Sequence, residues 1–288
     1  MTLASSARTR RRLTIRRRGM LPGFNLSLAI VTFYLSALVL IPIAVLTWRA
    51  SAMPAAELWA AVSGPRARAA FALSLGAAGT AALVNALFGF IVAWVLVRYE
   101  FPGRSLLDTL VDLPFALPTA VAGIALTAIW AESGWVGRHL SAAGIQVAYT
   151  PIGVTVALIF VGLPFVVRTV EPVLRELDPV LEEAAAVLGA SRLRTFLQVI
   201  LPATAPALGT GFSLAFARAL GEYGSVVFIS GNMPLRTEIV PLLIVTRLEQ
   251  FDYAGAIGIA AVMLLVSFVL LLLGNLLQAQ RRRRHEGA

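Results

Sequence analysis

The stretch EAAAVLG at residues 183–189, followed by VILP at residues 199–202, decides the interpretation of this 288-residue chain. The alanines and Leu188 favour a short helix, and Gly189 favours its end because glycine adopts the left-handed conformation readily. A second short helix is expected from Arg192 to Leu201, with Ser191 as its cap and Pro202 at the entry to the next apolar segment. A polar helix–bend–helix between two strongly apolar segments predicts contact with a soluble partner.

The residues before the glycine fit a helix start. Asp178 is expected as the N-cap and Pro179 as the first helical residue. Glu182 and Glu183 follow in the first turns, where a negative charge offsets the positive end of the helix dipole. One narrow apolar stripe is expected along this helix, formed by Leu181, Ala185 and Leu188.

Composition places the chain in the membrane. It is 58% hydrophobic and 14% charged, with a mean hydropathy of +0.83, whereas soluble domains carry about 25% charged residues. There is no cysteine, which excludes disulfides and thiolate sites. His139 and His285 lie in hydrophilic segments and receive no role. No metal or nucleophile cluster is evident, so a membrane enzyme is not favoured.

The net charge of +9 comes from arginines that lie mostly at the two ends of the chain. Arginines next to membrane spans attract anionic lipid and fix orientation. No aromatic-rich polar domain accompanies them, so nucleic-acid binding is not predicted. The clusters are Arg8, Arg10, Arg11, Arg12, Arg16, Arg17 and Arg18, and then Arg281, Arg282, Arg283 and Arg284.

Six apolar stretches are long enough to cross a membrane, since a hydrocarbon core of about 30 Å needs roughly 20 helical residues. The predicted fold is therefore all-α with six transmembrane helices. Arginines concentrate in the two tails and in the second and fourth loops, which predicts cytoplasmic termini. The expected organisation is a basic N-tail at 1–25, a six-span domain at 26–277 with a loop at 171–202, and a basic C-tail at 278–288. The six stretches are 26–48, 69–97, 110–130, 152–170, 203–229 and 254–277.

Prolines recur in these stretches, and each removes a helical hydrogen bond. Two interpretations stay open, a kinked packed helix or a hinge beside a pathway. The prolines are Pro42, Pro114, Pro118 and Pro164.

Charge occurs within the fifth stretch. Arg218 and Glu222 are four residues apart, and each would cost about 2.5–3.5 kcal/mol at a helix centre unless paired or facing water. One interpretation is a structural ion pair. The other is a water-filled route, with Gly221 and Gly224 permitting a bend and the hydroxyls of Tyr223 and Ser225 presented to it.

The spacing E-A-A, three residues, G, nine residues, I, one residue, L-P is the "EAA" motif of ABC-importer permeases, and residues 183–202 resemble it. Val199 replaces the usual isoleucine. The resemblance implies a coupling helix that docks in a groove of a separate ATPase subunit. It carries this role to Glu183, Ala184, Ala185, Gly189, Leu201 and Pro202. The chain has no G-x-x-x-x-G-K-[ST] loop, so ATP and Mg²⁺ are expected in the partner ATPase and no cofactor in this chain.

A second resemblance concerns the cargo. RALGEYGS at 218–225 and ISGN at 229–232 are similar to the signature of sulfate and molybdate permeases. The segments 112–123, 236–242 and 246–253 most resemble the T-type permease subunits of sulfate/thiosulfate importers. The similarity covers about residues 26–277. It implies a translocation pathway formed by Arg218, Glu222, Tyr223, Gly224, Ser225 and Asn232.

The family implies a bacterial inner-membrane assembly with a W-type permease, two ATPase subunits and a periplasmic sulfate-binding protein. Sulfate or thiosulfate would cross by alternating access, and the tight substrate site would belong to the binding protein. The nearest alternative is molybdate or tungstate. An ion-coupled secondary transporter is a further alternative, but it predicts charged, unwound helices in both halves, and only one half carries charge in a span.

Overall fold

A computed structural model describes residues 24–286, and these residues form helices joined by short loops. The N-terminal arginine cluster and the last two residues lie outside the described range, and so do the side chains of the C-terminal arginines. Both α1 and α9 contain a π-helical turn, at Ser36–Leu40 and Phe196–Ile200. The helices are α1 Phe24–Ser51, α2 Ala55–Ser63, α3 Pro65–Arg98, α4 Arg104–Ala116, α5 Thr119–Trp130, α6 Gly137–Ala142, α7 Pro151–Glu176, α8 Val180–Val187, α9 Arg192–Leu220, α10 Gly224–Ser230, α11 Val240–Glu249 and α12 Tyr253–Glu286.

Five helices in the described range are long and apolar enough to cross a membrane: α1, α3, α7, α9 and the first part of α12, Tyr253–Gly274. A sixth span exists only if α4 and α5 are counted together. These two helices meet at an angle of 115°, so the apolar stretch at 110–130 is not one continuous helix. The break lies at Leu117, which is extended (ψ 134°), because a residue before proline disfavours the helical conformation.

The chain divides into two compact units, residues 1–48 and 49–288. In the first unit the described residues form an apolar helix whose side chains are exposed or half-buried. In the second unit α3, α7 and α9 form the centre of the packing. Their shared core contains Val166, Val167, Val170 and Leu174 of α7, which are fully buried.

Small residues let these three helices approach closely, as is typical of membrane bundles. A Cβ on Gly89 of α3 would lie 2.9 Å from Val166 Cγ1 of α7. A Cβ on Gly211 of α9 would lie 3.0 Å from Val166 Cα. The glycines therefore set the distances between α7 and its two neighbours.

The short helix α10 packs against α5 in the same way. A Cβ on Gly123 of α5 would lie 2.5 Å from the Ser225 carbonyl oxygen, and a Cβ on Gly224 would lie 2.1 Å from Thr119 Oγ1. The Tyr149 amide, just before α7, donates to the Ile229 carbonyl at 2.7 Å. These contacts hold α10 in place after the chain leaves α9.

The loop that follows α10 is fastened to α3. Glu238 accepts from Arg66 Nε and Nη2 at 2.7 Å each, and Glu238 is buried. The Val240 amide donates to Ser74 Oγ at 2.8 Å. This bidentate ion pair and the amide hydrogen bond fix the start of α11 against the first part of α3.

Candidate functional site

The helix at the EAA motif ends in the predicted glycine bend. Gly189 has a φ of +77°. Its amide donates to the Ala186 carbonyl at 3.0 Å, and the Ala190 amide donates to the Ala185 carbonyl at 3.0 Å. This pair of hydrogen bonds is a Schellman motif, which satisfies the last carbonyls of the helix. No neighbouring atom occupies the space of a Gly189 Cβ, so the backbone conformation alone requires the glycine.

The helix start agrees with the prediction in its chemistry and differs by one residue in its position. Asp178 Oδ1 accepts from the Val180 amide at 2.9 Å, so the aspartate satisfies a free donor at the helix start, as expected. The helix itself, α8, runs Val180–Val187 and leaves Pro179 just outside it.

The second short helix was expected to end at Leu201, and this prediction is wrong. Ser191 Oγ does accept from the Arg194 amide at 3.3 Å, as predicted for its cap. The helix then continues through Pro202 to Leu220 as α9. It can do so because the Leu201 amide donates to the Phe196 carbonyl, five residues back, in a π turn. This wider turn accommodates a proline that would break a regular α-helix.

One face of α8 is open. Val187 and Leu188 are each 87% exposed, and Leu181 is also exposed. The predicted apolar stripe is therefore not covered by the described part of this chain. Glu183 is exposed as well, and none of the side chains that the structure describes forms an ion pair with it. Exposed apolar residues beside an unpaired charge are typical of a protein-contact surface.

The sequence predicts the same role for Glu182 and Glu183, in the first turns of the helix, but in the described part of the chain only Glu182 forms an ion pair with another helix. Glu182 Oε1 lies 2.6 Å from Arg98 Nη2, at the end of α3. The same guanidinium lies 5.6 Å from the centre of the Trp94 ring. Sequence reasoning missed this pair because its members are 84 residues apart.

The break in the fifth span centres on Glu222. The helix α9 ends at Leu220, and the Glu222 side chain is 1% exposed. Glu222 Oε2 lies 2.6 Å from Arg218 Nη1. Glu222 Oε1 accepts from both the amide and the hydroxyl of Ser225 at 2.8 Å. The carboxylate thus caps α10 and pairs with Arg218, which is the structural interpretation.

Of the other predicted pathway residues, only some lie next to Glu222 at the break between α9 and α10. The Ser225 hydroxyl is buried and donates to Glu222. Tyr223 remains exposed, and the Arg218 side chain is 34% exposed. Asn232 lies beyond the far end of α10, a seven-residue helix about 10 Å long. Gly224 contacts Thr119, whereas Gly221 has open space around it.

A second charged cluster, between α4 and α7, was not recognised from the sequence. Arg168 of α7 lies 2.7 Å from Asp108 Oδ1 and 2.7 Å from Asp112 Oδ2 of α4. It also lies 2.7 Å from Glu171 Oε2. One guanidinium therefore joins the two helices. Among the described residues, no group of three or more His, Cys, Asp or Glu side chains is arranged to hold a metal ion.

Two curated proteins are similar to this chain over most of its length. A probable sulfate transport system permease protein of Nephroselmis olivacea is 51% identical over 255 residues, which are 88% of this chain and 90% of that protein. The sulfate transport system permease protein of Salmonella typhimurium is 47% identical over 275 residues, which are 96% of this chain and 99% of that protein.

Two crystal structures of a bacterial alginate ABC transporter have the same fold. One chain, from the transporter involved in alginate import, matches with a TM-score of 0.70 at 16% identity, covering 89% of this chain and 94% of its own. The other is in complex with an alginate pentasaccharide-bound periplasmic protein. It matches with a TM-score of 0.69 at 18% identity, covering 87% of this chain and 92% of its own. The all-α permease fold expected from the sequence is confirmed.

The family model for the "binding-protein-dependent transport system inner membrane component" matches residues 85–285. The matched region contains the EAA segment, both charged clusters and the break between α9 and α10. The chain therefore belongs to this family of transport-system membrane components, as the EAA spacing predicted.

Proposed function

We propose that this chain is a permease subunit of an ATP-driven importer that moves sulfate and thiosulfate into the cytoplasm. The observation that carries the proposal is identity of 47% over 96% of the chain to a protein named as a sulfate transport system permease. Family membership also favours this function over an ion-coupled secondary transporter. The subunit itself is non-catalytic, and ATP with Mg²⁺ would be bound and hydrolysed by separate ATPase subunits.

The open face of α8 is proposed as the ATPase contact. Glu183, Ala184 and Val187 lie on an exposed surface, and Ala184 is small enough for another backbone to approach closely. The Gly189 bend sets the angle between this helix and α9. A partner groove that covers Val187 and Leu188 would remove two largely exposed apolar side chains from water, which stabilises association.

The remaining predicted motif residues support the bend. Ala185 is half-buried on the side of α8 away from Glu183, and Leu201 and Pro202 follow the π turn of α9. Through this turn, a displacement of α8 would be passed to a membrane-spanning helix. We therefore assign the coupling role to the whole segment within the loop 171–202.

The assembly that fits such a subunit contains a W-type permease, two ATPase subunits and a periplasmic sulfate-binding protein. A permease with this fold has been crystallised with its periplasmic protein bound, which supports the last of these partners. We propose that residues 26–277 form the permease domain and that the basic tails, 1–25 and 278–288, lie in the cytoplasm against anionic lipid.

The pathway is proposed to run past the break between α9 and α10. Arg218 lies beside Glu222 with its Nη1 2.6 Å from Glu222 Oε2, and its side chain stays 34% exposed, so its five-donor guanidinium retains donors for an oxyanion. Because the adjacent carboxylate compensates its charge, the dianion would be attracted only weakly. Weak attraction suits a route that must release its cargo, with tight binding left to the periplasmic protein. Tyr223 and Asn232 are further candidates along this route.

The transport cycle would be alternating access. A ligand shifts an equilibrium between two conformations only by its different affinity for each. ATP binding would favour the outward-open form through the ATPase pair, and hydrolysis would restore the inward-open form. In this scheme α8 receives the movement, and the helices that it contacts carry the movement into the membrane.

Uptake in cells tests the cargo. A bacterial strain without sulfate uptake would receive this chain together with its partner subunits, and radiolabelled sulfate uptake would be measured. We expect uptake that excess thiosulfate suppresses strongly and excess molybdate suppresses little. Restored molybdoenzyme activity without sulfate uptake would instead assign molybdate or tungstate as the cargo.

A further inference from the structure

The guanidinium of Arg98 lies where three helices of the coupling region meet. Arg98 is the last residue of α3, and its Nη2 lies 2.6 Å from Glu182 Oε1 of α8. The same nitrogen lies 3.5 Å from the carbonyl oxygen of Leu177, the residue that directly follows α7. One side chain of α3 therefore contacts α8 and the residue that follows α7.

The surroundings of Arg98 shield this contact from water. The side chains of Arg98 and Glu182 are 18% and 30% exposed, and an ion pair of this kind is screened less by salt than one on an open surface. Arg98 also stacks over Trp94, whose ring contacts Phe196 edge-on at 6.2 Å between centroids. Phe196 lies in the π turn, so α9 joins the same cluster.

The rest of α8 has few fixed contacts. No residue of α8 is fully buried. Among the side chains that the structure describes, the Arg98–Glu182 pair is the ion pair that connects α8 to another helix. A surface helix held by so little apolar burial depends on its polar links for a fixed position.

We propose that the Arg98–Glu182 pair transmits the movement of α8 to the membrane-spanning helices α3 and α7. Glu183 faces outward to the partner, while the neighbouring Glu182 faces inward to Arg98. Both members of the pair are positioning residues, since they act through the helices they join. The inference rests on the proposed function because it needs a partner that moves α8.

Charge reversal tests this link in the complete complex with its ATPase subunits and binding protein, reconstituted in lipid. The variants are Arg98→Glu, Glu182→Arg and the double reversal. We expect each single variant to lose about tenfold in sulfate imported per ATP hydrolysed, measured on complexes that contain the ATPase subunits. The double reversal should restore the ratio to within about threefold, since residues in direct contact couple strongly.

The matched control is Glu100→Arg. Glu100 lies two residues from Arg98, is exposed, and has no ion-pair partner in the described part of the chain. Its reversal changes the local charge in the same direction as Glu182→Arg without breaking the link. The import ratio should therefore stay at the wild-type value.

Hydrogen exchange of the α8 amides gives a second readout that needs no substrate. The single reversals should speed exchange in Val180–Val187, and the double reversal should slow it again. If the wild-type complex failed to import sulfate while exchange followed this pattern, the proposed cargo would be wrong and the link would stand. Wild-type exchange and import ratio in both single variants, or a double variant as impaired as the singles, would overturn the link.

Discussion

The buried carboxylate of Glu222 joins Arg218, at the end of α9, to the start of α10. It lies 2.6 Å from Arg218 Nη1 and accepts two hydrogen bonds from Ser225. A charge in this position is tolerated because each oxygen has a partner. The break in the fifth span is thus a satisfied polar junction, and any pathway that passes it meets a nearly neutral pair with one partly exposed arginine.

The stability of this junction can be measured directly. Glu222→Gln removes the carboxylate charge and leaves Arg218 without its partner, so we expect a loss of about 1–3 kcal/mol. The readout is thermal unfolding of the complex in lipid nanodiscs. Glu249→Gln is the control, because Glu249 is exposed and forms no ion pair with the side chains that the structure describes. Equal melting temperatures for the two variants would contradict the junction.

The role of Arg218 in transport needs a variant that leaves no buried charge unpaired. Arg218→Ala combined with Glu222→Gln keeps the junction neutral and removes the guanidinium. If Arg218 donates to the passing anion, sulfate uptake should fall by about tenfold or more, the value of one charge-assisted hydrogen bond, while the assembly stays intact. Wild-type uptake in this double variant would leave Arg218 with the structural role only.

The exposed face of α8 predicts an effect on assembly. Glu183→Arg places a positive charge where the proposed ATPase groove receives a negative one, and we expect loss of ATP-dependent uptake together with loss of ATPase co-purification. Glu100→Arg serves again as the control. Normal co-purification and uptake in Glu183→Arg would remove Glu183 from the contact.

Substitutions at Gly189 can distinguish the cost of backbone strain from the cost of a side-chain clash. Because φ is +77° and nothing fills the space of a Cβ, Gly189→Ala should cost about 1–2 kcal/mol in local stability. It should raise amide exchange in α8 and weaken ATP-driven uptake. Gly189→Asn should be milder, since asparagine tolerates the left-handed conformation. Equal effects of alanine and asparagine would argue against a conformational cause.

Two glycines of the break offer a matched pair. Gly224→Ala would bring a Cβ to within 2.1 Å of Thr119 Oγ1, whereas Gly221→Ala meets no atom within 4 Å. We expect the first change to displace α10 from α5 and lower the melting temperature and uptake, and the second to leave both unchanged. Partial recovery of Gly224→Ala by Thr119→Ala would identify the clash as the cause.

Local features of this chain were predictable and distant contacts were not. The Asp178 cap, the Gly189 bend and the Ser191 cap each depend on residues within a few positions, and the structure has all three. Continuation of α9 through Pro202 was missed, because a π turn has no strong local signal. For the bend between α4 and α5, Pro118 indicated a kink or a hinge, but the angle of 115° was not predictable.

The ion pairs also differ in whether their two residues are close or distant in sequence. The Arg218–Glu222 pair was one of two interpretations that the sequence left open, because four residues separate its members in one helical stretch. Arg98–Glu182 and Arg168–Asp112 join residues that are 84 and 56 positions apart. Only the folded arrangement of α3 with α8, and of α7 with α4, brings these side chains together, and no spacing rule in the sequence encodes it.

The central claim is tested most directly by ATP-dependent accumulation of radiolabelled sulfate in proteoliposomes that contain the complete purified complex. We predict that accumulation requires the periplasmic protein and ATP. Excess thiosulfate should inhibit it, and the Glu183→Arg variant should abolish it. Sulfate accumulation that proceeds without ATP, or a complex that accumulates molybdate and leaves sulfate outside, would contradict the account.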